Sequence, residues 1–353
     1  MDIQHLPTPA LILDLDLFEK NMATMNAFLA NTRMKLRPHY KSSKCTAIAH
    51  RQIAAGAIGL SCAKLSEAED LADAGIEDIL IANQVTDRAK VARVAALAQC
   101  CRLTVCVDSA QNIADLAAAA AYQGSTIHCL VEYEIGMRRC GVGTKEEAYT
   151  LARQIADSPG LVFDGIQAYA GHLSHEADYR IRQEESAKIE VRLRELLDFL
   201  QSRGLPAREV SGVSTGTVEF RPQDTVYTEI QAGSYIFMDT AYNLLNLKFE
   251  NSLFVLSTIM SANDQFVMAD AGRKSVSVDQ QMPVFRECPN TPLRVSEEHT
   301  AVSAEGCKAA VGDKVHIIPG HCCTTVNLHD WLYLTRQGKV IDKVPVISRG
   351  KSY

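Results

Sequence analysis

Eight short apolar segments alternate with helix-forming segments, and this alternation restricts the fold more than any other feature of the sequence. The strand candidates are 35–41, 58–62, 78–83, 103–108, 127–134, 163–170, 209–215 and 228–235. The helix-forming stretches between them, rich in Ala, Leu, Glu and Lys, include 66–74, 86–98, 110–121, 145–156 and 179–202. Each crossover between parallel strands must return to the same end of the sheet, so eight such units predict a (β/α)8 TIM barrel. A doubly wound open sheet also fits the alternation, although no GxGxxG follows the first strand.

The pattern changes after Tyr242, where short β-rich segments are separated by turn residues. These segments are 251–260, 265–269, 275–278, 314–318, 331–334 and 339–341, and they predict a β domain. Another apolar strand, 10–16, precedes the barrel and needs a neighbour outside it. We therefore predict an N-terminal strand (1–16) that joins the β domain, a barrel (17–242) and a C-terminal β domain (243–353).

Charge and hydropathy argue against several classes of partner. The 36 Lys and Arg against 42 Asp and Glu give a formal charge of −6 without a basic run, so no nucleic acid is expected. No apolar run approaches the ~20 residues of a membrane helix, and no basic segment opens a secretory signal. The 11 cysteines show no CxxC framework, and Cys62, Cys106 and Cys129 lie in apolar segments. We expect buried thiols in a cytoplasmic protein.

The carboxyl ends of the strands carry the chemistry of such a barrel. The first strand ends in Arg-Pro-His-Tyr-Lys at 37–41. Lys41 would point into the barrel mouth and could form a Schiff base, although a solvated loop lysine is the alternative. The last two strands end in Ser-Thr-Gly-Thr (214–217) and Ala-Gly-Ser-Tyr (232–235), whose amides and hydroxyls suit a phosphate group, or form ordinary turns. Together they suggest a pyridoxal phosphate barrel.

Further candidates follow the fifth and sixth strands. Arg139 could face the cofactor or a substrate carboxylate, or be a surface cation. Tyr169 could touch the cofactor ring, and one of two histidines, His172 or His175, could be a general base rather than a structural residue.

The β domain contains Gly-His-Cys-Cys-Thr at 320–324. In an extended segment His321 and Cys323 would project to the same side and could bind one metal ion. A core histidine beside buried thiols is the alternative. Two protein ligands would leave positions open for water and substrate, as in a catalytic site.

These residues fall within motifs that extend along nearly the whole chain. They are Thr-Pro-Ala (8–10), Arg-Pro-His-Tyr-Lys (37–41), Arg-Cys-Gly-Val (139–142), Gln-Ala-Tyr (167–169), Thr-Gly-Thr (215–217), Gln-Ala-Gly-Ser-Tyr (231–235), Asp-Ala-Gly (270–272) and Asn-Leu-His-Asp (327–330). In these motifs the chain resembles the D-threonine aldolase branch of the fold-type III pyridoxal phosphate enzymes. That superfamily includes alanine racemase and the eukaryotic-type D-serine dehydratases.

The resemblance implies a role for each candidate residue. It implies Lys41 as the Schiff-base lysine, His175 as the catalytic base, and His321 and Cys323 as ligands of a divalent cation, Mn²⁺, Mg²⁺ or Zn²⁺. The implied cofactor-binding residues are Lys41, His39, Arg139, Tyr169, Thr215, Gly216, Gly233, Ser234 and Tyr235. D-threonine aldolases typically carry Asp where Cys323 stands, whereas a His-x-Cys pair resembles the zinc pair of the D-serine dehydratases.

The resemblance also implies the reaction. We expect a homodimeric lyase that cleaves the Cα–Cβ bond of a small-molecule β-hydroxy-D-amino acid, giving glycine and an aldehyde. With 3-hydroxy-D-aspartate as substrate, Arg138, Arg102 or Arg221 could bind the second carboxylate. The alternatives are a D-serine or D-threonine dehydratase, which gives a keto acid and ammonia, and a non-catalytic pyridoxal phosphate carrier.

Overall fold

The computed structural model describes residues 1–288 and 292–353. Two compact units are present, each discontinuous in sequence. The barrel unit comprises 27–41, 48–233 and 351–353, and the β unit comprises 1–26, 42–47 and 234–350. The helices are α1 (Leu15–Leu29), α2 (Thr46–Ala54), α3 (Leu65–Asp73), α4 (Arg88–Leu97), α5 (Ala110–Gln123), α6 (Lys145–Asp157), α7 (Tyr179–Ser202), α8 (Thr240–Asn243) and α9 (Cys322–Val326).

The barrel unit contains a parallel sheet of eight strands. They are β2 (Lys35–Leu36), β3 (Leu60–Cys62), β4 (Asp78–Ile81), β5 (Arg102–Val107), β6 (Ile127–Glu132), β7 (Leu161–Ala168), β8 (Glu209–Gly212) and β9 (Glu229–Ile230). Their order is β2-β9-β8-β7-β6-β5-β4-β3. The two outer strands are joined where His39 bridges Ser61 and the Ser61 N–H donates to the Pro38 carbonyl at 2.9 Å. The predicted (β/α)8 barrel is confirmed, and the open-sheet alternative is wrong.

Helix boundaries follow the capping residues in the sequence. Ser109 caps α5 by accepting from the Asn112 N–H, and Gly124 ends the helix in a left-handed conformation with φ of 65°. Thr144 and Glu147 form a capping box at the start of α6. These local signals explain why the predicted and observed helices agree within a few residues.

The strands end earlier than their apolar runs. β2 stops at Leu36, and Lys41 lies in a 3₁₀ helix, Tyr40–Ser42. Pro38 lacks an N–H, so it cannot continue the ladder as a donor. β8 stops at Gly212 because Val213 has a φ of 62°. The segments that carry Lys41 and Thr215 are therefore turns that follow the strands, not the strand ends themselves.

Ion pairs connect the first residues of several barrel strands to one another and to Arg37, which follows β2. Arg37 bonds to Glu229 at 2.8 Å and to Asp78 at 2.7 Å, while its side chain is only 2% exposed. Arg102 bonds to Glu209 at 2.9 Å. Since Arg102 lies at the amino end of β5, the prediction that it could bind a substrate carboxylate is wrong.

Replacing Arg37 with Met should lower the free energy of unfolding by about 3–5 kcal/mol, because Glu229 would be left as a buried charge without its partner. Urea unfolding of the full chain would measure this change. Arg93→Met is the matched control: its pair with Glu69 is exposed, so a change below about 1 kcal/mol is expected. Equal effects of the two substitutions would contradict the prediction.

The β unit contains the remaining strands. They are β1 (Ala10–Asp14), β10 (Leu253–Ala262), β11 (Phe266–Ala269), β12 (Val284–Phe285), β13 (Arg294–Val295), β14 (Thr300–Ser303), β15 (Lys314–Ile318), β16 (Trp331–Arg336) and β17 (Lys339–Pro345). β1 pairs antiparallel with β10 and parallel with β16. Its side chains Ala10 and Ile12 pack in a buried cluster with Phe254 and Leu256.

Two local predictions in this unit are wrong. Residues 275–278 form a turn rather than a strand, because Ser275 and Val276 donate to the Gly272 carbonyl and Ser277 donates to Thr325 Oγ1. Cys322–Val326 is helical rather than extended, so the period of two does not apply to it. The Asp239 carboxylate accepts from the Cys322 N–H at 2.8 Å, which fixes the start of α9.

The cysteines are not all free thiols. Cys288 and Cys307 form a disulfide with their Cα atoms 5.0 Å apart, so the thiol prediction is wrong for this pair. The pairing escaped prediction because the two residues are 19 positions apart and carry no CxxC pattern. Cys62, Cys106 and Cys129 are buried thiols outside the disulfide, as expected. In the described ranges, no helix is both long and apolar enough to cross a bilayer.

Candidate active site

A polar cavity lies at the carboxyl ends of the barrel strands. It is lined by His39, Lys41, Ala63, Ala82, Asn83, Arg139, Gln167, Tyr169 and Gln231. Four of these, His39, Lys41, Arg139 and Tyr169, are residues that the sequence singles out for the cofactor. The rule that parallel strands present their carboxyl ends together accounts for their meeting in one cavity.

Lys41 and Arg139 both approach the ring of Tyr169. Their charged groups lie 5.8 Å and 5.9 Å from the ring centroid, respectively, within the range of cation–π attraction. The backbone N–H of Lys41 donates to Nδ1 of His39 at 3.3 Å. His39 is 8% exposed, so this contact holds the lysine backbone against a buried ring. The cavity therefore combines a primary amine with a half-buried aromatic face.

Glu132 closes β6 and pairs with Arg139. The distance between its Oε1 and the arginine Nη2 is 3.5 Å, and Gln84 Nε2 donates to its other oxygen at 2.6 Å. Burial raises the pKa of Glu132, while Gln84 and Arg139 oppose that shift. Glu132 is absent from the predicted site, although a carboxylate ending an apolar strand could have indicated it.

Two buried amides form another part of the cavity wall. Gln231 Nε2 donates to Gln167 Oε1 and to Ser211 Oγ, both at 2.7 Å. Gln167 is 1% exposed and Gln231 is 3% exposed. The sequence motifs contain both glutamines but do not indicate that their side chains meet.

The predicted phosphate residues lie in short 3₁₀ helices after the last two strands. Thr215 and Gly216 begin the helix Thr215–Phe220, which is capped by contacts between Ser214 and Thr217. Gly233 directly precedes the helix Ser234–Ile236, which contains Tyr235. All of these residues are buried.

The two histidines after β7 occupy different places. His172 packs over Gly136, where a Cβ atom would lie 2.8 Å from the ring. His175 is exposed in the next turn, and it is not one of the residues lining the cavity. The preceding Ser174 is buried, with its hydroxyl 3.3 Å from Tyr169 Oη. This contact connects the turn that carries His175 to a residue of the cavity wall.

Arg221 and Arg138 are the other arginines considered for a second substrate carboxylate. Arg221 is 3% exposed and bonds to Glu190 at 2.9 Å. It is therefore neutralised within the protein, and its predicted role is wrong. Arg138 is exposed in the loop after β6.

The candidate metal pair lies at the start of α9. His321 is the N-cap residue of this helix, and Cys323 is its second residue. Cys323 Sγ lies 3.3 Å from Ser42 Oγ and 3.7 Å from Ser234 Oγ. Ser42 and Ser234 directly follow Lys41 and Gly233 in the sequence.

The chemistry of this pair fits an open divalent site. Burial lowers the pKa of His321, but Cys323 and Asp279 outweigh it and raise that pKa to about 9. The ring is thus held between two acidic partners, an environment that also suits a cation. Within residues 1–288 and 292–353, no group of three or more His, Cys, Asp or Glu is arranged to hold a metal ion. Two protein donors would leave further positions to water or substrate.

Comparison with known proteins defines the family. Residues 13–241 match the model of the alanine racemase N-terminal domain, and 252–335 match that of a putative serine dehydratase domain. A 3-hydroxy-D-aspartate aldolase from Paracoccus denitrificans (strain Pd 1222) is 38% identical to this chain, and the alignment covers 100% of this chain and 95% of that protein. A D-threonine aldolase from Arthrobacter sp. is 40% identical to this chain, and the alignment covers 99% of this chain and 94% of that protein.

The chain belongs to the alanine racemase-like family, in its D-threonine aldolase branch. The crystal structure of D-threonine aldolase from Filomicrobium marinum superimposes on it with a TM-score of 0.97 and 39% identity, covering 100% of this chain and 98% of that one. The resemblance noted in the sequence motifs is thus confirmed. A D-threo-3-hydroxyaspartate dehydratase from Delftia sp. (strain HT23) is more distant, at 29% identity over 91% of this chain and 92% of its own. Pyridoxal phosphate is the cofactor expected for this family.

Proposed function

We propose that the protein is a pyridoxal phosphate-dependent and metal-dependent aldolase that cleaves the Cα–Cβ bond of β-hydroxy-D-amino acids. The observation that carries this proposal is a single cavity containing Lys41, Arg139 and Tyr169 in a chain that matches such aldolases over its whole length. The same match argues against a non-catalytic carrier.

Lys41 would hold the cofactor through its amine and free it for the substrate. Arg139, oriented by Glu132, would neutralise negative charge on the cofactor ring, and Tyr169 would contact its face. His39 would support the lysine backbone, while Thr215, Gly216, Gly233, Ser234 and Tyr235 would bind the phosphate. When bound, pyridoxal phosphate supplies an electron sink for the breaking bond.

His321 and Cys323 would hold the divalent cation, which supplies a Lewis acid for the β-hydroxyl group. His175 would take the hydroxyl proton, directly or through a water molecule. The contact between Ser174 and Tyr169 supports a position of this turn beside the cavity. The oxygen electron pair left by this deprotonation would form the aldehyde C=O bond as the Cα–Cβ bond breaks. The electron pair of the broken bond would remain with Cα, which takes up a proton to give glycine.

The substrate within this class depends on the group at Cβ. D-Threonine and 3-hydroxy-D-aspartate are both candidates, as the names of the two aldolase relatives indicate. Three arginines were considered for the second carboxylate. Arg102 and Arg221 are in the ion pairs described above, whereas Arg138 is exposed in a loop. We also propose a homodimer and a cytoplasmic location, in line with the resemblance.

A dehydratase is the second candidate, and Cys323 favours it. A thiolate ligand favours zinc, and the segment that carries Cys323 matches the putative serine dehydratase domain. In that reaction Lys41 would remove the α proton, and the cation would assist departure of hydroxide. The closer identity to the aldolases, 38–40% against 29%, makes aldol cleavage our choice.

Product analysis separates the two reactions. Incubation of the holoenzyme with D-threonine should give glycine and acetaldehyde in equal amounts, and D-serine should give no pyruvate. L-Threonine is the stereochemical control, and a chelator should stop the reaction until a divalent cation is restored. Formation of 2-oxobutyrate or pyruvate with ammonia would overturn the aldolase proposal in favour of the dehydratase.

A further inference from the structure

The loop before β12 packs against the segment that carries His321. The Gly320 N–H donates to the Ser277 carbonyl at 3.1 Å, and the Ser277 N–H donates to Thr325 Oγ1 at 3.0 Å. A Cβ atom at position 320 would lie 1.8 Å from the Gln281 carbonyl oxygen. Only glycine permits this approach, so the sequence brings the two segments together immediately before His321.

The packed loop presents Asp279 to the ring of His321. Its two carboxylate oxygens lie 2.9 Å and 3.2 Å from His321 Nδ1. The same carboxylate accepts from Thr324 Oγ1 at 3.1 Å and from the Ser277 hydroxyl. These hydrogen bonds come from both segments, so the carboxylate is held in place rather than free to rotate on the surface.

This contact determines which nitrogen of His321 can bind a cation. A histidine that binds a cation keeps a proton on only one ring nitrogen, and a carboxylate at Nδ1 favours the proton on that atom. The lone pair is then on Nε2. Metal-binding histidines commonly donate their other ring nitrogen to a carboxylate, which fixes the ring and increases the basicity of the ligand.

We infer that Asp279 is a positioning residue for the divalent cation: it holds His321 as the Nδ1–H form and leaves Nε2 free to bind the cation beside Cys323. This inference depends on the metal site of the proposed function. Asp279 would not itself be a ligand, because its oxygens already accept hydrogen bonds from His321, Thr324 and Ser277.

The experiment measures metal affinity independently of turnover. Full-length protein loaded with pyridoxal phosphate is stripped with a chelator and titrated with Zn²⁺ against a chromophoric competitor. Asp279→Ala should weaken Zn²⁺ binding by about 10–100-fold. Asp279→Asn keeps an acceptor of the same shape for Nδ1–H, so its affinity should lie between those of the wild type and Asp279→Ala.

Glu287→Ala is the matched control. Glu287 contacts Nδ1 of His316 at 2.6 Å, so this variant also removes a carboxylate from a histidine in the β unit. Its Zn²⁺ affinity should equal that of the wild type. Thermal unfolding of the metal-free proteins would show whether each variant is folded. A general folding defect would lower the unfolding temperature of Asp279→Asn and Asp279→Ala alike.

Substitution with Co²⁺ gives a second readout. The visible absorption bands of the bound ion report its ligand geometry, and Asp279→Ala should shift them whereas Glu287→Ala should not. If folded Asp279→Ala binds Zn²⁺ as tightly as the wild type and keeps the same Co²⁺ bands, the inference about Asp279 is wrong while the aldolase proposal stands. If the wild type binds no divalent cation, both the inference and the proposed metal site are wrong.

Discussion

The Lys41→Ala variant should lose essentially all lyase activity, by on the order of 10³-fold or more, since covalent catalysis depends on its nucleophile. Lys41 provides the primary amine of the cavity that contains Arg139 and Tyr169. Without it, pyridoxal phosphate could bind through its phosphate but not through a covalent bond. The variant should therefore also lose the yellow absorption of a bound lysine adduct.

Lys44→Ala is the control for this prediction. Lys44 lies three residues later and donates to the Ser348 carbonyl at 3.2 Å, so its amine has a structural contact. This variant should keep the absorption and most of the activity.

Borohydride reduction followed by peptide mapping tests the attachment point directly. The label should appear on the peptide that contains Lys41 and should be absent from the Lys41→Ala variant. A label on Lys44, or an active and yellow Lys41→Ala variant, would contradict the assignment of the cavity as the cofactor site.

The barrel was predictable because its determinants are local and repeated. Each strand is an apolar run, and each following helix has its own cap, such as Ser109 for α5 or Thr144 for α6. The strand ends were less predictable, since they depend on tertiary contacts. Lys41 was placed at a strand end, yet it lies in a 3₁₀ helix. The cavity still contains Lys41, because the chain beyond β2 bridges to Ser61 through His39.

Residues that act through another side chain were missed. Glu132 ends an apolar strand and Asp279 lies in a loop, and the role of each is defined by its partner, Arg139 or His321. A sequence pattern shows which residue types follow a strand, but not which side chains meet from distant segments. Gln231 and Gln167 illustrate the same limit, since they are 64 residues apart.

The proximity of His321 and Cys323 was predicted from an incorrect local structure. The prediction assumed an extended segment, whereas Asp239 and Thr325 stabilise a helix that begins at Cys322. The two residues are nevertheless neighbours at the start of this helix, and Cys323 contributes to the raised pKa of His321. The N-cap residue His321 has extended backbone angles, φ −152° and ψ 118°, and its ring contacts Asp279.

Replacing Cys323 should change both activity and metal preference. Cys323→Ala leaves His321 as a single protein donor, so activity should fall by roughly 10²–10³-fold, the scale of several kcal/mol that a Lewis acid provides. Cys323→Asp restores a second donor and should recover part of the activity. Since carboxylates suit harder cations and thiolates suit Zn²⁺, the preferred metal should change from Zn²⁺ toward Mn²⁺ or Mg²⁺.

The measurement is the rate of glycine release from D-threonine by metal-free protein reloaded with Zn²⁺, Mn²⁺ or Mg²⁺ in turn. Cys322→Ala is the matched control, because this neighbouring thiol is fully buried and should affect stability more than metal preference. An unchanged metal ranking in Cys323→Asp would mean that the thiolate does not select the cation. A shift of the ranking in Cys323→Asp but not in Cys322→Ala would show that one sulfur atom determines which ion serves the reaction.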